Sequence, residues 1–353
     1  MLDNELKIKE LDPNGMVGHL REFPEQIITG RELARGIFLD SIDIDRVKNI
    51  IVCGMGGSAI GGDLVKSYAI DILHVPMIIN RDYTLPAFVN EDSLVIGSSY
   101  SGNTEETLES FAEAGNRRAQ RIVITTGGKI AKIAEAENLP IIMIPGGLPP
   151  RAALGYSFSP MLTLFEELGL IPDQSAEIEE TYNSLQIGIQ EFDLTSPTSE
   201  NTAKALAFAL FKKLPLVYSD SFHFDSVAVR FRGQINENSK QLAYSALLPE
   251  NNHNELVGWN RVDYLKDVLI AIWLKDAETH KRVDFRMDFM AEVMDELGVE
   301  SIIIESVGES LLARMFSLIQ LGDWASYYLA ILNEVDPLPV KIIDRLKSEL
   351  SGR

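Results

Sequence analysis

The chain has 353 residues, of which 46% are hydrophobic and 24% charged, a globular balance that excludes a long disordered protein. Its one cysteine, Cys53, excludes an internally disulfide-stapled scaffold and fits a reducing compartment. Lysine and arginine number 32 against 52 acidic residues, a net charge of −20, which repels nucleic acid phosphate and anionic lipid at long range.

Residues 1–48 read as amphipathic helix, broken at Asp12-Pro13-Asn14-Gly15 and at Phe23-Pro24. Asn49 to Cys53 is a short apolar run that ends in glycines and reads as a buried strand. A helix from Ala59 to Ile70 follows, then strands at Pro76–Ile79 and Ser93–Gly97 and a helix from about Thr104. Strands at Arg121–Thr125 and Pro140–Ile144 continue the alternation. Alternating strands and helices with doubly buried strands predict a parallel sheet covered on both faces.

The polar, Ser/Thr-rich segment 191–199, with Pro197, reads as a linker. After it the alternation resumes, with strands at Leu214–Ser219, Leu242–Leu248, Asp267–Leu274 and Ser301–Glu305. Helices are expected at Phe224–Lys240, His280–Leu297, Leu311–Glu334 and Val340–Leu350. The expectation is two α/β domains of similar plan, 1–192 and 193–353, the second ending in extra helices. Met287, Met290 and Met294 have helical spacing and read as core.

Two loops can carry chemistry. Gly54-Met55-Gly56-Gly57-Ser58-Ala59 lies between a strand and a helix. There glycines admit a ligand to the backbone and a helix N-terminus favours an anion. The run also fits a G-x-G-x-x-A dinucleotide fingerprint, but Asn80 and Arg81 precede Asp82 where an acid is wanted. A plain tight turn is the other reading. Ser98-Ser99-Tyr100-Ser101-Gly102-Asn103-Thr104-Glu105-Glu106 also opens a helix. An N-cap needs one hydroxyl. Three, on Ser99, Ser101 and Thr104, favour a phosphate held on backbone N–H groups.

With these loops, the chain resembles the sugar isomerase (SIS) fold, here two three-layer αβα domains. Phe23-Pro24-Glu25-Gln26, Pro149-Pro150-Arg151-Ala152-Ala153-Leu154-Gly155-Tyr156, Asn236-Glu237-Asn238-Ser239-Lys240, Asn252-His253-Asn254-Glu255 and Asp336-Pro337 with Ile343 to Lys347 narrow it. In order, they resemble the bifunctional phosphoglucose/phosphomannose isomerases of archaea and bacteria, essentially end to end.

The resemblance implies interconversion of glucose 6-phosphate and mannose 6-phosphate with fructose 6-phosphate. It places the phosphate on Ser99, Ser101 and Thr104, with Gly57 and Ser58 on the sugar side. Arg151 would lie beside the reacting carbons, Glu237 would be the base, and His253 and Lys347 would open the ring. Lys341 is the other lysine of the terminal helix, and Lys347 matches the family's Leu-Lys. The resemblance also implies a homodimer with His253 reaching into the neighbour's site.

The chemistry suits these residue types. Moving a proton between C1 and C2 through a cis-enediol needs one carboxylate poised between both carbons. A permanently charged guanidinium stabilises the enediolate, and a histidine titrates near neutrality. No cofactor is expected and no metal, since the five histidines are scattered without a ligand motif. A cytoplasmic location is expected, because no apolar run reaches ~18 residues and the N-terminus lacks a signal-peptide core. Taken without the resemblance, Glu237 and Arg151 can be surface residues, His253 a polar loop residue and Lys347 a helix-dipole cation. The competing classes are a non-catalytic sugar phosphate regulator, a ketose aminotransferase and a nicotinamide dehydrogenase. The aminotransferase would need an ammonia source that Cys53 does not supply, and the dehydrogenase rests on the glycine loop alone.

Overall fold

The computed structural model describes residues 1–350. Three helices, α1 (Glu5–Leu11), α2 (Met16–Arg21) and α3 (Phe23–Ala34), precede the first strand. Then follow β1 (Asn49–Cys53), α4 (Gly56–Ala69), β2 (Met77–Asn80), β3 (Ser93–Ser99), α5 (Glu105–Asn116), β4 (Gln120–Thr125), α6 (Gly128–Ala136) and β5 (Ile141–Met143). Helices α7 (Leu154–Glu167), α8 (Ser175–Phe192) and α9 (Thr202–Leu210) lead to β6 (Leu214–Asp220), α10 (Asp225–Asn238) and β7 (Tyr244–Leu248). The chain continues through α11 (Glu255–Gly258), β8 (Leu269–Lys275), α12 (Lys281–Glu296), β9 (Glu300–Glu305), α13 (Leu311–Leu332) and α14 (Lys341–Leu350).

The chain divides into two compact units. One holds Glu22–Asn183 and Ser310–Ala313. The other holds Met1–Arg21, Ser184–Glu309 and the chain from Arg314 onward. The contact boundary therefore falls inside α8, and the first two helices join the second unit.

The first unit is built on a five-stranded parallel sheet of order β2-β1-β3-β4-β5. Every residue of β3 is buried, as are four of the five in β1. The reason lies in their composition: Ile50-Ile51-Val52-Cys53 and Leu94-Val95-Ile96 offer no polar face, so both faces need cover. Ile51, Val95, Phe111, Val123 and Ile130 form part of one core. The second unit has a four-stranded parallel sheet of order β7-β6-β8-β9. Its core stacks Tyr218 on Trp273, ring centres 4.4 Å apart, and takes in Met287, Met290 and Met294 from one face of α12.

The helix break expected at Phe23-Pro24 is present: α2 ends at Arg21 and Phe23 begins α3, where a proline in the first turn forfeits no intrahelical hydrogen bond. Two other expectations need correcting. Residues 35–48 are not helical apart from one 3-10 turn at Ile44–Arg46. Segment 191–199 is not a linker between units. Glu191 and Phe192 end α8, and the rest is folded inside the second unit. The cause is Lys204, fully buried, whose Nζ donates to Ser196 O (2.6 Å), Asp3 Oδ1 (2.9 Å) and Leu194 O (3.2 Å). Replacing Lys204 with Met leaves both carbonyls without that cation. We expect a loss of about 3 kcal/mol from hydrogen bonds to a charged donor, read as a lower urea midpoint. An unchanged midpoint would show that the segment holds without the lysine.

Candidate active site

In the first unit, β1 ends in the glycine loop and β3 in the serine loop, side by side at the carboxyl edge of the sheet. This is where the strand order reverses, since β1 is followed by β2 on one side and β3 on the other. Connections diverge there and leave a crevice, the usual ligand position in doubly wound sheets.

The serine loop leads from β3 into α5. Thr104 is the N-cap of α5, yet no side-chain hydrogen bond caps the helix. Instead the Ser99 and Thr104 hydroxyls lie 3.3 Å apart. Asn103 stiffens the turn: its N–H donates to Ser101 Oγ (3.3 Å), its amide donates to Ser101 O (2.9 Å), and it accepts from Lys129 N (3.1 Å). The first N–H groups of α5 are thus without a side-chain cap, which does not support the N-cap reading of this loop.

The glycine loop is tied to it. Ser58 is buried, and its Oγ accepts from Tyr100 N at 3.0 Å. Tyr100 also accepts from Thr126 Oγ1 at its carbonyl (2.7 Å) and from Leu148 N at its phenol oxygen (3.0 Å). One tyrosine therefore links the loops after β1, β3, β4 and β5. Its only sequence signal is that it is the one bulky residue in a run of small polar ones.

Gly57 brings in Arg151. The turn Pro150–Ala152 comes so close that a Cβ on Gly57 would sit 2.4 Å from Pro150 O. Ser157 Oγ donates to Gly57 O at 3.1 Å. Arg151 is buried. The first unit thus gathers Gly57, Ser58, Ser99, Ser101, Thr104 and Arg151 around one sheet edge. The Cys53 thiol ends β1 beneath the loop, and burial pushes it up to about 11, so it is held as an unreactive thiol.

Glu237, His253 and Lys347 belong to the second unit. Glu237 is half-buried in the last turn of α10, where its carbonyl accepts from Lys240 Nζ (2.8 Å). A polar seam with α13 fixes that end. Asn238 donates to Ser326 Oγ (2.9 Å), and Ser239 Oγ donates to Ser326 O (2.7 Å). His253 is exposed at the end of a 3-10 turn, Glu250–His253. Asn252 anchors the turn on Met290 Sδ (2.7 Å) and Arg286 (3.2 Å). On the other side Glu255 accepts from Tyr218 OH and from Trp259 Nε1. Burial and the Glu255 carboxylate both push the Tyr218 phenol up, so it remains the donor. Lys347 lies on α14, all of whose residues are exposed, as is Lys341 at its start.

The topology separates two of these residues. Helix α10 runs back from β6, so Glu237 sits beside the start of β7, as the Ala243 N to Asn236 Oδ1 bond of 2.8 Å confirms. His253 follows the end of β7. Five residues of strand at ~3.3 Å each put about 16 Å between the two edges. Within one chain, Glu237 and His253 are on opposite edges of their sheet.

Thr104→Val or Ser99→Ala removes one hydroxyl from the anion site. Each bond lost to a charged acceptor is worth about 1.5–3 kcal/mol, roughly 10- to 100-fold in affinity. Calorimetric titration with 5-phosphoarabinonate reads the effect. Parent-like binding by both variants would mean that the loop only starts a helix.

Residues 199–350 match the family model described as the bacterial phospho-glucose isomerase C-terminal SIS domain. The chain is 45% identical over 330 residues to a bifunctional phosphoglucose/phosphomannose isomerase of Caldicellulosiruptor bescii, covering 93% of this chain and 96% of that one. It is 38% identical to the protein of the same name from Aquifex aeolicus, covering 87% and 92%. Among solved structures, a hypothetical protein of Thermus thermophilus, TT0462, has the same fold, with a TM-score of 0.74 at 17% identity over 100% of this chain and 94% of that one. With relatives this similar over nearly their whole length, the chain belongs to the bifunctional phosphoglucose/phosphomannose isomerase family.

Proposed function

We propose that the protein interconverts glucose 6-phosphate and mannose 6-phosphate with fructose 6-phosphate, a reaction serving glycolysis and gluconeogenesis in the cytoplasm. The observation that supports the phosphate end is the α5 N-terminus without a side-chain cap, its Thr104 hydroxyl beside that of Ser99. Family membership supplies the reaction class. In this reading Ser99, Ser101 and Thr104 hold the phosphate, and Gly57 and Ser58 line the sugar.

Glu237 takes the proton from C2 of the aldose and returns it to C1 through the cis-enediol. Arg151 stabilises the negative oxygen that develops between them. His253 and Lys347 move the protons that open the ring. The sum is a proton shift with no redox partner, so no cofactor is needed and metal plays no part. Among the described residues no helix is long and apolar enough to cross a membrane. Assay of fructose 6-phosphate formation from each aldose, with EDTA present, tests the reading. Both reactions should proceed undiminished. Activity lost on chelation and regained with a divalent cation would overturn the metal-free mechanism, and turnover of neither sugar would overturn the assignment.

The active unit in this reading is a homodimer, each site taking His253 from the neighbour. Its support is the distance between the sheet edges: a histidine about 16 Å along β7 from Glu237 is badly placed to share a substrate with it. Exposed apolar side chains supply a surface for association. Val257 and Tyr264 lie beyond the histidine turn, and Phe285 and Phe289 lie on the helix that anchors it. Mixing Glu237→Gln with His253→Ala chains under conditions of subunit exchange should restore activity, up to about half of wild type per mixed dimer for independent sites. Neither variant alone should exceed about 1%, as loss of an acid–base group costs about 10²–10⁴-fold. No recovery, with exchange demonstrated by native mass spectrometry, rules out the shared site.

A further inference from the structure

Gln26 has no role in the reaction as described, yet it is 1% exposed and belongs to a motif, Phe23-Pro24-Glu25-Gln26, that the chemistry leaves unexplained. We propose that Gln26 is the positioning residue for Arg151, its side-chain amide tying the end of the turn that carries the arginine and the start of α7 to α3. The proposal rests on the role given to Arg151 above.

The geometry is specific to an amide. Nε2 donates to Ala152 O at 2.8 Å, the residue after Arg151, and Oε1 accepts from Gly155 N at 3.2 Å in the first turn of α7. That N–H lacks an intrahelical acceptor by its position. A carboxylate offers no donor to the carbonyl, and an apolar side chain satisfies neither group. The approach is close: a Cβ on Gly155 would lie 2.4 Å from Gln26 Cβ. Ser159 Oγ donates to Ile27 O at 2.5 Å one turn further along, so α3 and α7 are held in register. On its other side the same turn presses on Gly57. The backbone at Arg151 is therefore enclosed between α3 and the glycine loop, and Gln26 supplies its hydrogen bonds from α3.

Two variants test this, Gln26→Met, which fills similar space without either bond, and Gln26→Glu, which keeps the acceptor. Each is made in the parent and in an Arg151→Ala background. An arginine displaced by about 1 Å costs about 100-fold in kcat. Because the phosphate loop is untouched, KM for fructose 6-phosphate should stay within about twofold, the pattern of an interaction lost in the transition state. Gln26→Glu should lose less and regain activity as pH falls, since a buried carboxyl that protonates becomes a donor again.

In the Arg151→Ala background both substitutions should cost less than about twofold more, because residues acting through one group are not additive. Parent-like kcat in Arg151→Ala overturns the role of the arginine, and the proposal with it. An impaired Arg151→Ala beside a folded, fully active Gln26→Met overturns the proposal alone. So does an equal cost of Gln26→Met in both backgrounds, the mark of general structural damage. Should Gln26→Met fail to fold, Gln26→Glu in both backgrounds decides by the same comparison.

Discussion

The reversal of strand order between β1 and β3 is the constraint on which the first unit depends. Parallel strands need crossover connections, and the two helices that leave β1 and β3 diverge. Their N-terminal N–H groups are left pointing into one crevice. A chain with a net charge of −20 can still hold a phosphate dianion there, because the partial charges of a helix terminus act at contact distance while the net charge is screened within about 10 Å. The local requirement is that the terminus not be satisfied by its own side chains. Thr104 meets it by facing Ser99 rather than the helix.

The second sheet follows the same plan and shows what happens when that requirement is not met. Its reversal lies between β6 and β8. There Asp220, at the end of β6, accepts from Phe222 N (2.8 Å) and His223 N (2.9 Å). Asp276, just after β8, accepts from Ser306 Oγ (2.5 Å) and Arg314 Nε (2.7 Å). The chain's own carboxylates take the donors and the cation that an outside anion would need. Among the described residues, the reversal in the second sheet is thus occupied by internal hydrogen bonds that the first sheet lacks at Thr104. The residues assigned to proton transfer in the second unit accordingly come from elsewhere: the far end of α10, the turn after β7 and the terminal helix.

Much of this was legible in the sequence. Doubly buried strands announce themselves as β-branched runs such as Ile50-Ile51-Val52, and the two loops as glycines and hydroxyls placed between a run and a helix. What escaped were features decided by long-range partners. Segment 191–199 has the composition of a linker, and only the arrival of Lys204 beneath it makes it part of a unit. Residues 35–48 continue a helical composition, yet only a 3-10 turn at Ile44–Arg46 forms there. The assignment of Met1–Arg21 to the second unit depends on contacts that no local pattern encodes. At the site, the proposed roles came from order and resemblance. The supports, Tyr100, Ser326 and Gln26, have no chemical signature because their work is done by ordinary hydrogen bonds.

Those supports explain the parts of the motifs that do not react. In Asn236-Glu237-Asn238-Ser239, the two residues after the carboxylate bind Ser326. In Asn252-His253-Asn254-Glu255, the residues flanking the histidine reach Met290 and Tyr218. In Phe23-Pro24-Glu25-Gln26, the glutamine reaches the turn of Arg151. The side chains assigned roles at Glu237, His253 and Arg151 thus each have a neighbouring polar group that holds the backbone nearby. Fixing the backbone leaves the reacting group free to take and give a proton, while an unsatisfied member of such a network would cost more than an apolar replacement. This ties motif residues together in a way that packing alone does not: an apolar neighbour can be exchanged for another of its volume, but a carbonyl and an N–H at fixed separation admit few partners besides an amide.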